Sequence, residues 1–534
     1  METGLQVVVI ILVFNSNYKN FKGDKSMKNI VLIMFILTTF LFSSCTKLEF
    51  ENPNSPTVET FWQTSDDAVK GVNAVYSTFH RGAISRWMPF YLIIRCDEGK
   101  STSPWTELPN NTDQFLVTDY NFGPAYDTWN DNFVGIFRAN QVLENVPAID
   151  MDANLKKQVL GEAKFLRALF YYNLTSLWGN VPLILKPSNP ADKPSTAMQT
   201  EIWAQIEIDL TEAAASLPET YGDAELGRAT KGAANALLAK ALMQQKKFEA
   251  AKAPLQWLCE GNGKNIYGLM PNYRDNFIVA TENNQESVFE WQFAENPTEN
   301  NDNDVNPNHN YGSSIAQFFG PNGIGWADGE ANRWVVWEIL KENTTTGDRD
   351  PRLEASFLYD STNIGGPDFT MIYGQTFFSR YGSGGNSQKV WFRKFQNDSW
   401  KDGEGYRSPN NWRFIRYADV LLMYAECLNE TGATASAYQY VDQVRQRAGL
   451  AKLADIKPGM SKENFLLQLK HERITELSGE GHRWNDLARW GDLSSNLKSR
   501  DAGYTNFVQG KHELMPIPQK EIDINPNLKQ NPNW

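Results

Sequence analysis

Residues 469–492 read LKHERITELSGEGHRWNDLARWGD. Phe465, Leu466, Leu469, Ile474 and Leu477 recur at helical spacing, so the stretch opens as an amphipathic helix. Gly479-Glu480-Gly481 ends it, because two glycines relax the backbone and favour a helix terminus. A second short helix carries Trp484, Leu487, Ala488 and Trp490, and Gly491 stops it. Glu472, Arg473, Glu476, Glu480, Arg483, Asp486 and Arg489 crowd around that turn. Opposed charges beside two tryptophans predict a rigid, partly buried ion-pair knot. Breaking such a knot from one side is costly, because a buried charge is left unpaired. Catalytic use of Glu472 or Asp486 is the competing reading. The neighbouring arginines would hold both ionised, which argues against a general acid.

Outward from this stretch, helices dominate. Thr64-Ser65-Asp66 caps one that runs to about Phe79. Tyr126 to Val146 reads as another. Asn154 to Leu177 is the clearest, with Leu155, Val159, Ala163, Leu166, Leu169, Phe170 and Leu177 on one face. Glu201 to Leu217 and Lys231 to Gln245 follow, and Lys247-Phe248-Glu249-Ala250-Ala251 resembles a tetratricopeptide turn. The same helix–turn–helix logic returns at Arg416 to Leu450, turning at Glu430-Thr431-Gly432. Between these regions, Gln285 to Phe293 reads as a strand, Ala294 to Asn310 as an exposed loop, and Gly365 to Gly385 as another loop. The expected fold is therefore mainly α: a tetratricopeptide-like scaffold of helical pairs with a large, irregular, loop-rich C-terminal part containing short strands. The expected division is a helical domain at 57–270 and a second domain at 271–534, with loop insertions at about 294–411.

Net charge is −12, which argues against a general nucleic-acid surface. The chain carries 17 Trp, 20 Tyr and 30 Phe, enough to leave exposed aromatic platforms after the core is filled. Such platforms suit sugars, whose rings offer an apolar C–H face. Cys96, Cys259 and Cys427 lie far apart and form no paired metal motif, so neither a zinc site nor a disulfide framework is expected. His471-Glu472 and His512-Glu513 begin like a zinc-protease helix, but Thr475 and Pro516 stand where the second ligand belongs. Gly99-Lys100-Ser101 ends like a phosphate loop, yet Ile94 stands where its first glycine belongs. No cofactor or metal is expected.

Met27-Lys28 followed by Ile30 to Phe42 has the shape of a signal peptide (27–44), ending Leu41-Phe42-Ser43-Ser44-Cys45. Small residues before a cysteine resemble a bacterial lipobox, which implies lipidation of Cys45, although Phe42 is larger than usual there. Residues 1–26 fit no such pattern and read as an extension upstream of the true start at Met27; residues 45–56 read as a polar tether.

The run from Glu472 to Gly491, ER–x–x–EL–x–GEG–x–R–x–x–DL–x–RWG, resembles the C-terminal signature of the SusD/RagB family. EAKFLRALFYYNLTSLWGNVPLI (Glu162 to Ile184), RYADVLLMYAECLNE (Arg416 to Glu430) and the end of the chain from Leu514 resemble the same family. The resemblance implies an outer-membrane lipoprotein, facing outward, that binds nutrients without chemistry for a SusC-like TonB-dependent transporter. Its ligand would be an oligosaccharide or, as in some members, a peptide or other nutrient. A lipid-anchored glycoside hydrolase and a pure repeat scaffold are the competing classes. Glycosidases need only two suitably spaced carboxylates, and 63 acidic residues mark no particular pair.

A glycan site needs stacking faces and side chains that bridge hydroxyls. Trp105 with Glu107 and Asn110, in the polar loop 100–113, form one candidate side; Tyr311, Trp326 and Trp334 form the other. Trp334, Val335 and Trp337 also read as a packed helix start, so Trp334 competes as a core residue.

Overall fold

A computed structural model describes residues 58–189, 191–295, 311–360 and 371–534. The signal peptide, Cys45, the tether and the loop residues 296–310 and 365–370 lie outside the described residues. Of the unit Met1–Phe61, the described part is the short helix Val58–Phe61; Trp62–Trp534 forms one compact unit of its own.

That body is mainly helical. Thr64 starts α1 (Ser65–Tyr76) with a reciprocal capping box to Asp67. Met88–Ile94 forms α2. Then come α3 (Gly123–Asn145) and α4 (Ala153–Trp178), the latter capped by the Asp152 carboxylate on the amides of Asn154 and Leu155. α5 (Gln199–Ser216), α6 (Lys231–Gln244) and α7 (Phe248–Cys259) follow. After the irregular region, α8 (Tyr417–Glu430) and α9 (Thr434–Arg447) form a pair, and α10 (Lys462–Leu477) and α11 (Arg483–Trp490) close the scaffold. Each helix packs on its neighbours in order: α3 on α4, α4 on α5, α5 on α6, α6 on α7, and α7 directly on α8. The helical array therefore resumes across more than 150 intervening residues. Close approach is built in locally: a Cβ on Gly135 of α3 would lie 2.4 Å from the Phe170 ring of α4.

The intervening region contributes short antiparallel pairs: β1 (Gly99–Ser101) with β3 (Gly329–Ala331), β2 (Ser287–Trp291) with β8 (Trp412–Arg416), β4 (Phe357–Tyr359) with β7 (Val390–Phe392), and the hairpin β5 (Met371–Ile372) to β6 (Gln375–Thr376). None is long enough to be independently stable. They are held by one large core that runs from Ala68 to Ile517, and by a smaller cluster of Ile324, Ala327, Leu358, Ile372, Tyr373, Phe377 and Trp391. Cys96, Cys259 and Cys427 are buried free thiols.

The predicted knot is larger than the sequence indicates. Arg416, delivered by β8, bonds Glu476 at 2.8 Å and Glu480 at 2.6 Å and also pairs with Glu286. Arg352 reaches Glu476 at 3.1 Å, Arg447 pairs with the same carboxylate, and Lys394 reaches Glu480 at 2.6 Å. A second group joins Arg473 to Asp486 (2.7 Å) and Asp419 (2.9 Å), and Arg489 to Glu426 (2.7 Å). Burial pushes the Asp486 carboxyl up, but Arg473 and Arg489 outweigh it and hold the group below its usual value. Asp486 is thus a structural anion.

Candidate binding site

β1 and β3 pair Gly99 with Ala331 and Ser101 with Gly329, which brings two distant loops together. The amide of Thr102 donates to the Asp328 carbonyl (2.8 Å), the Thr102 hydroxyl to the Ala327 carbonyl (2.7 Å) and the Ser101 hydroxyl to the Asp328 carbonyl (3.0 Å). Trp105 lies just after the first strand and Trp326 just before the second, so the stitching holds both tryptophans on one structure.

A continuous chain of rings joins them. Trp105 contacts Phe122 at 5.0 Å between centroids and meets Trp87 edge-on at 6.4 Å. Trp87 meets Phe318 at 5.3 Å, Phe318 meets Trp326 at 5.1 Å, and Trp326 meets Tyr406 at 5.3 Å. Trp87 and Phe318 are buried, while Trp105 is 44% and Trp326 51% exposed. The Arg86 guanidinium lies 4.4 Å from the Trp87 ring and 5.0 Å from the Phe318 ring, beneath the chain's middle. Offset and edge-on contacts of this kind fix ring orientation without covering the outward faces.

The Trp326 turn is itself rigid. Its amide donates to the Gln317 carbonyl (2.8 Å), the Asp328 amide to the Phe318 carbonyl (2.8 Å), and Ala327 adopts a left-handed φ of 55°. A non-glycine residue in that region is strained and persists where its surroundings dictate it. Burial pushes the Asp328 carboxyl up, against the hydrogen bond from Ser103 and the charge of Arg86.

The other candidate residues distribute unevenly. Glu107 is exposed at the start of a short helix, Glu107–Asn111, on the same loop as Trp105, and Asn110 is half-buried in it. Tyr311 is 51% exposed, but its ring contact is with His80, edge-on at 6.1 Å, and not with the Trp105–Trp326 chain. Trp334 belongs elsewhere: its indole N–H donates to the Asp97 carbonyl at 2.5 Å, and the Arg500 guanidinium lies 4.3 Å from its ring. Arg483 and Arg500 both pair with the Asp97 carboxylate, at 2.7 and 2.9 Å, so Trp334 packs into the charged knot. Trp87, Phe122, Tyr406 and Arg86 were absent from the sequence-based set. The adjacent Arg86-Trp87 pair is a weak sequence signal, and nothing in the sequence singles out Tyr406.

Among the described residues, one cluster has the residue types of a metal site: Glu342, His471 and Glu472. The Arg445 guanidinium already bridges Glu342 (2.7 Å) and Glu472 (2.5 Å). His471 donates toward Glu338 at 2.8 Å; burial opposes its charge, but Glu338 and Glu342 raise it to about 9. A guanidinium and an imidazolium therefore neutralise these carboxylates.

The SusD family pattern matches residues 260–534, and a pattern described as starch-binding associating with outer membrane matches residues 93–243. A SusD-like protein of Formosa agariphila is 26% identical, over 94% of this chain and 98% of that protein. The starch-binding protein SusD of Bacteroides thetaiotaomicron is 26% identical over 70% of this chain and 72% of its own length. A solved laminarin-binding SusD-like protein is 29% identical, covers 89% of this chain and 100% of its own, and superposes with a TM-score of 0.72. With over half of its length matched by the family pattern, and with the tetratricopeptide-like helical array described above, the chain belongs to the SusD family.

Proposed function

We propose that this protein is a non-catalytic glycan-binding lipoprotein of the outer membrane, anchored through Cys45, that captures oligosaccharides and passes them to a SusC-like TonB-dependent transporter. The observation that carries the binding half is the ring chain from Trp105 to Trp326, with both end tryptophans half exposed and the middle braced by Arg86. Stacking faces at fixed separation, with Glu107 and Asn110 beside them for hydroxyl groups, bind a saccharide without bond chemistry. A β-1,3-glucan oligosaccharide is the first probe, because a relative that is 29% identical is a laminarin-binding protein.

Calorimetry of the processed protein with laminarihexaose, alongside malto-, cello- and xylo-oligosaccharides, tests the reading. Binding without release of reducing ends is expected, and Trp105→Ala and Trp326→Ala should each weaken it by about three- to tenfold. Unchanged affinity in both folded variants would remove the platform from the site; new reducing ends would make the protein a hydrolase. Membrane anchoring is tested separately: Cys45→Ala should release the protein from the membrane fraction and abolish incorporation of labelled palmitate.

A further inference from the structure

A third tryptophan is presented in the same manner as Trp105 and Trp326. Trp400 is 49% exposed, in the turn after the β7 strand. The turn is tied down: the Trp400 amide donates to the Asn397 carbonyl at 3.1 Å and the Lys401 amide to the same carbonyl at 2.9 Å. Asn397 is buried, and Glu404 accepts from both its amide (2.7 Å) and its side chain (2.7 Å). Glu404 in turn donates its own amide to the Ile324 carbonyl at 3.0 Å, two residues before Trp326. Tyr406, on the same short segment, meets the Trp326 ring edge-on. A few hydrogen bonds therefore lead from the Trp326 turn to the Trp400 backbone, and a ring contact closes the same segment onto Trp326. The Lys401 ammonium sits 4.3 Å from the Trp400 ring, and Lys401 also pairs with Glu295 at 3.8 Å.

We propose that Trp400 is a further stacking station for the same ligand, so that the site reads a glycan chain longer than the Trp105–Trp326 platform alone can hold. This rests on the glycan-binding reading above. An indole held half exposed on a braced turn forgoes burial that it would otherwise contribute to folding. Preorganisation is what makes such exposure useful, because little side-chain entropy is lost when a sugar ring stacks on it. The Lys401 ammonium lies over one face of the indole, so a sugar ring would stack on the other face. Continuity with the Trp326 turn selects the occupant: the next residues of the bound saccharide. The ligand that follows is an oligosaccharide longer than the Trp105–Trp326 platform alone would span.

The test compares chain lengths on the intact processed protein, using tri- and hexasaccharides of whichever series binds the wild type in the panel above. Trp400→Ala should weaken hexasaccharide affinity by about three- to tenfold. It should leave trisaccharide affinity unchanged, and Trp400→Phe should recover most of the loss. Trp326→Ala should weaken both lengths, which separates failure of this extension from failure of the platform. Hexasaccharide affinity unaffected by Trp400→Ala, or equal losses for both lengths, overturns the proposal. If no saccharide binds the wild type, the platform reading and this extension fall together. Trp400 is exposed, so a matched thermal melt should verify that the variant is folded.

Discussion

At the scale of single residues, the tryptophans and the arginines do opposite things. Trp105 and Trp326 were legible as ligand candidates because they stand in polar, glycine- or proline-containing stretches with no amphipathic helix to bury them. Their partners were not legible. Trp87 and Phe318 sit in apolar runs, and only contacts across more than 200 residues of chain make them the support between the two. Trp334 stood apart in sequence as a competing core residue at a helix start, and its indole N–H and ring engage Asp97 and Arg500. Among the arginines, Arg416 is the most heavily engaged, serving Glu286, Glu476 and Glu480 at once while almost wholly buried. Truncating it takes one cation from three buried carboxylates and leaves the cluster short of positive charge, although Arg352 and Arg447 still reach Glu476, Lys394 reaches Glu480 and Arg447 reaches Glu286. Arg416→Ala should therefore destabilise the chain by about 3–5 kcal/mol. Urea titration measures this, and a loss below about 1 kcal/mol would mean that water reaches the site and solvates them.

At the scale of elements, the turn between α10 and α11 decides how the knot closes. Gly479 and Gly481 both adopt positive φ, 76° and 78°, which places Glu480 between them in the buried charge cluster. An alanine at either position pays the left-handed backbone penalty of about 1–2 kcal/mol. The surroundings differ: a Cβ at 479 would meet the Phe392 ring at 2.7 Å, whereas at 481 it would meet Leu92 at 3.1 Å. Gly479→Ala should thus cost more stability than Gly481→Ala, and neither should change saccharide affinity. Denaturation and calorimetry on the same samples check both statements, and the reverse order would mean that Phe392 yields more easily than Leu92. The helix breaks themselves were legible, since glycine pairs end helices wherever they occur. The depth of the turn was not, because it depends on β8 delivering Arg416 and on Lys394 arriving from the loop region.

At the scale of the whole molecule, charge burial sets the response to pH in two directions. Asp97, Glu476 and Asp486 are all buried, which pushes them up, but their arginines hold each below its ordinary value. Their stabilisation is present above about pH 4 and lost as the pH falls through the lowered values. Asp113 and Asp501 behave oppositely. Burial first, and then their mutual repulsion for Asp113, raise them to about 7 and about 6. Around them, Thr112 and Gln114 donate to Asp113, Asn332 donates to Asp501, Asp97 adds repulsion and Lys100 relieves it. Because folding raises these two, their contribution is complete below about pH 4 and disappears as pH rises through 6 and 7. Asp113 ends the loop that carries Trp105, and the next residue ties that loop to the C-terminal segment, where the Asn506 side chain donates to the Gln114 carbonyl at 3.0 Å. Wild-type stability should fall between about pH 5 and about pH 8, and Asp113→Asn should fall by less, with a difference of about 2 kcal/mol across that range. Parallel urea titrations give the answer; identical slopes for the two proteins would refute the upward shift of the buried Asp113 carboxyl.

The sequence by itself determined the helices, the family and the tryptophans worth testing, because periodicity, glycine breaks and long signatures are local properties of the chain. Only the tertiary structure decided that α7 stacks on α8 across the irregular region, that β1 and β3 carry Trp105 and Trp326 to one platform, and that Trp334 joins the charged knot instead. The physical reason is range: a helix is specified by neighbours within a few residues, whereas a binding platform exists only once segments hundreds of residues apart have closed their loops and packed.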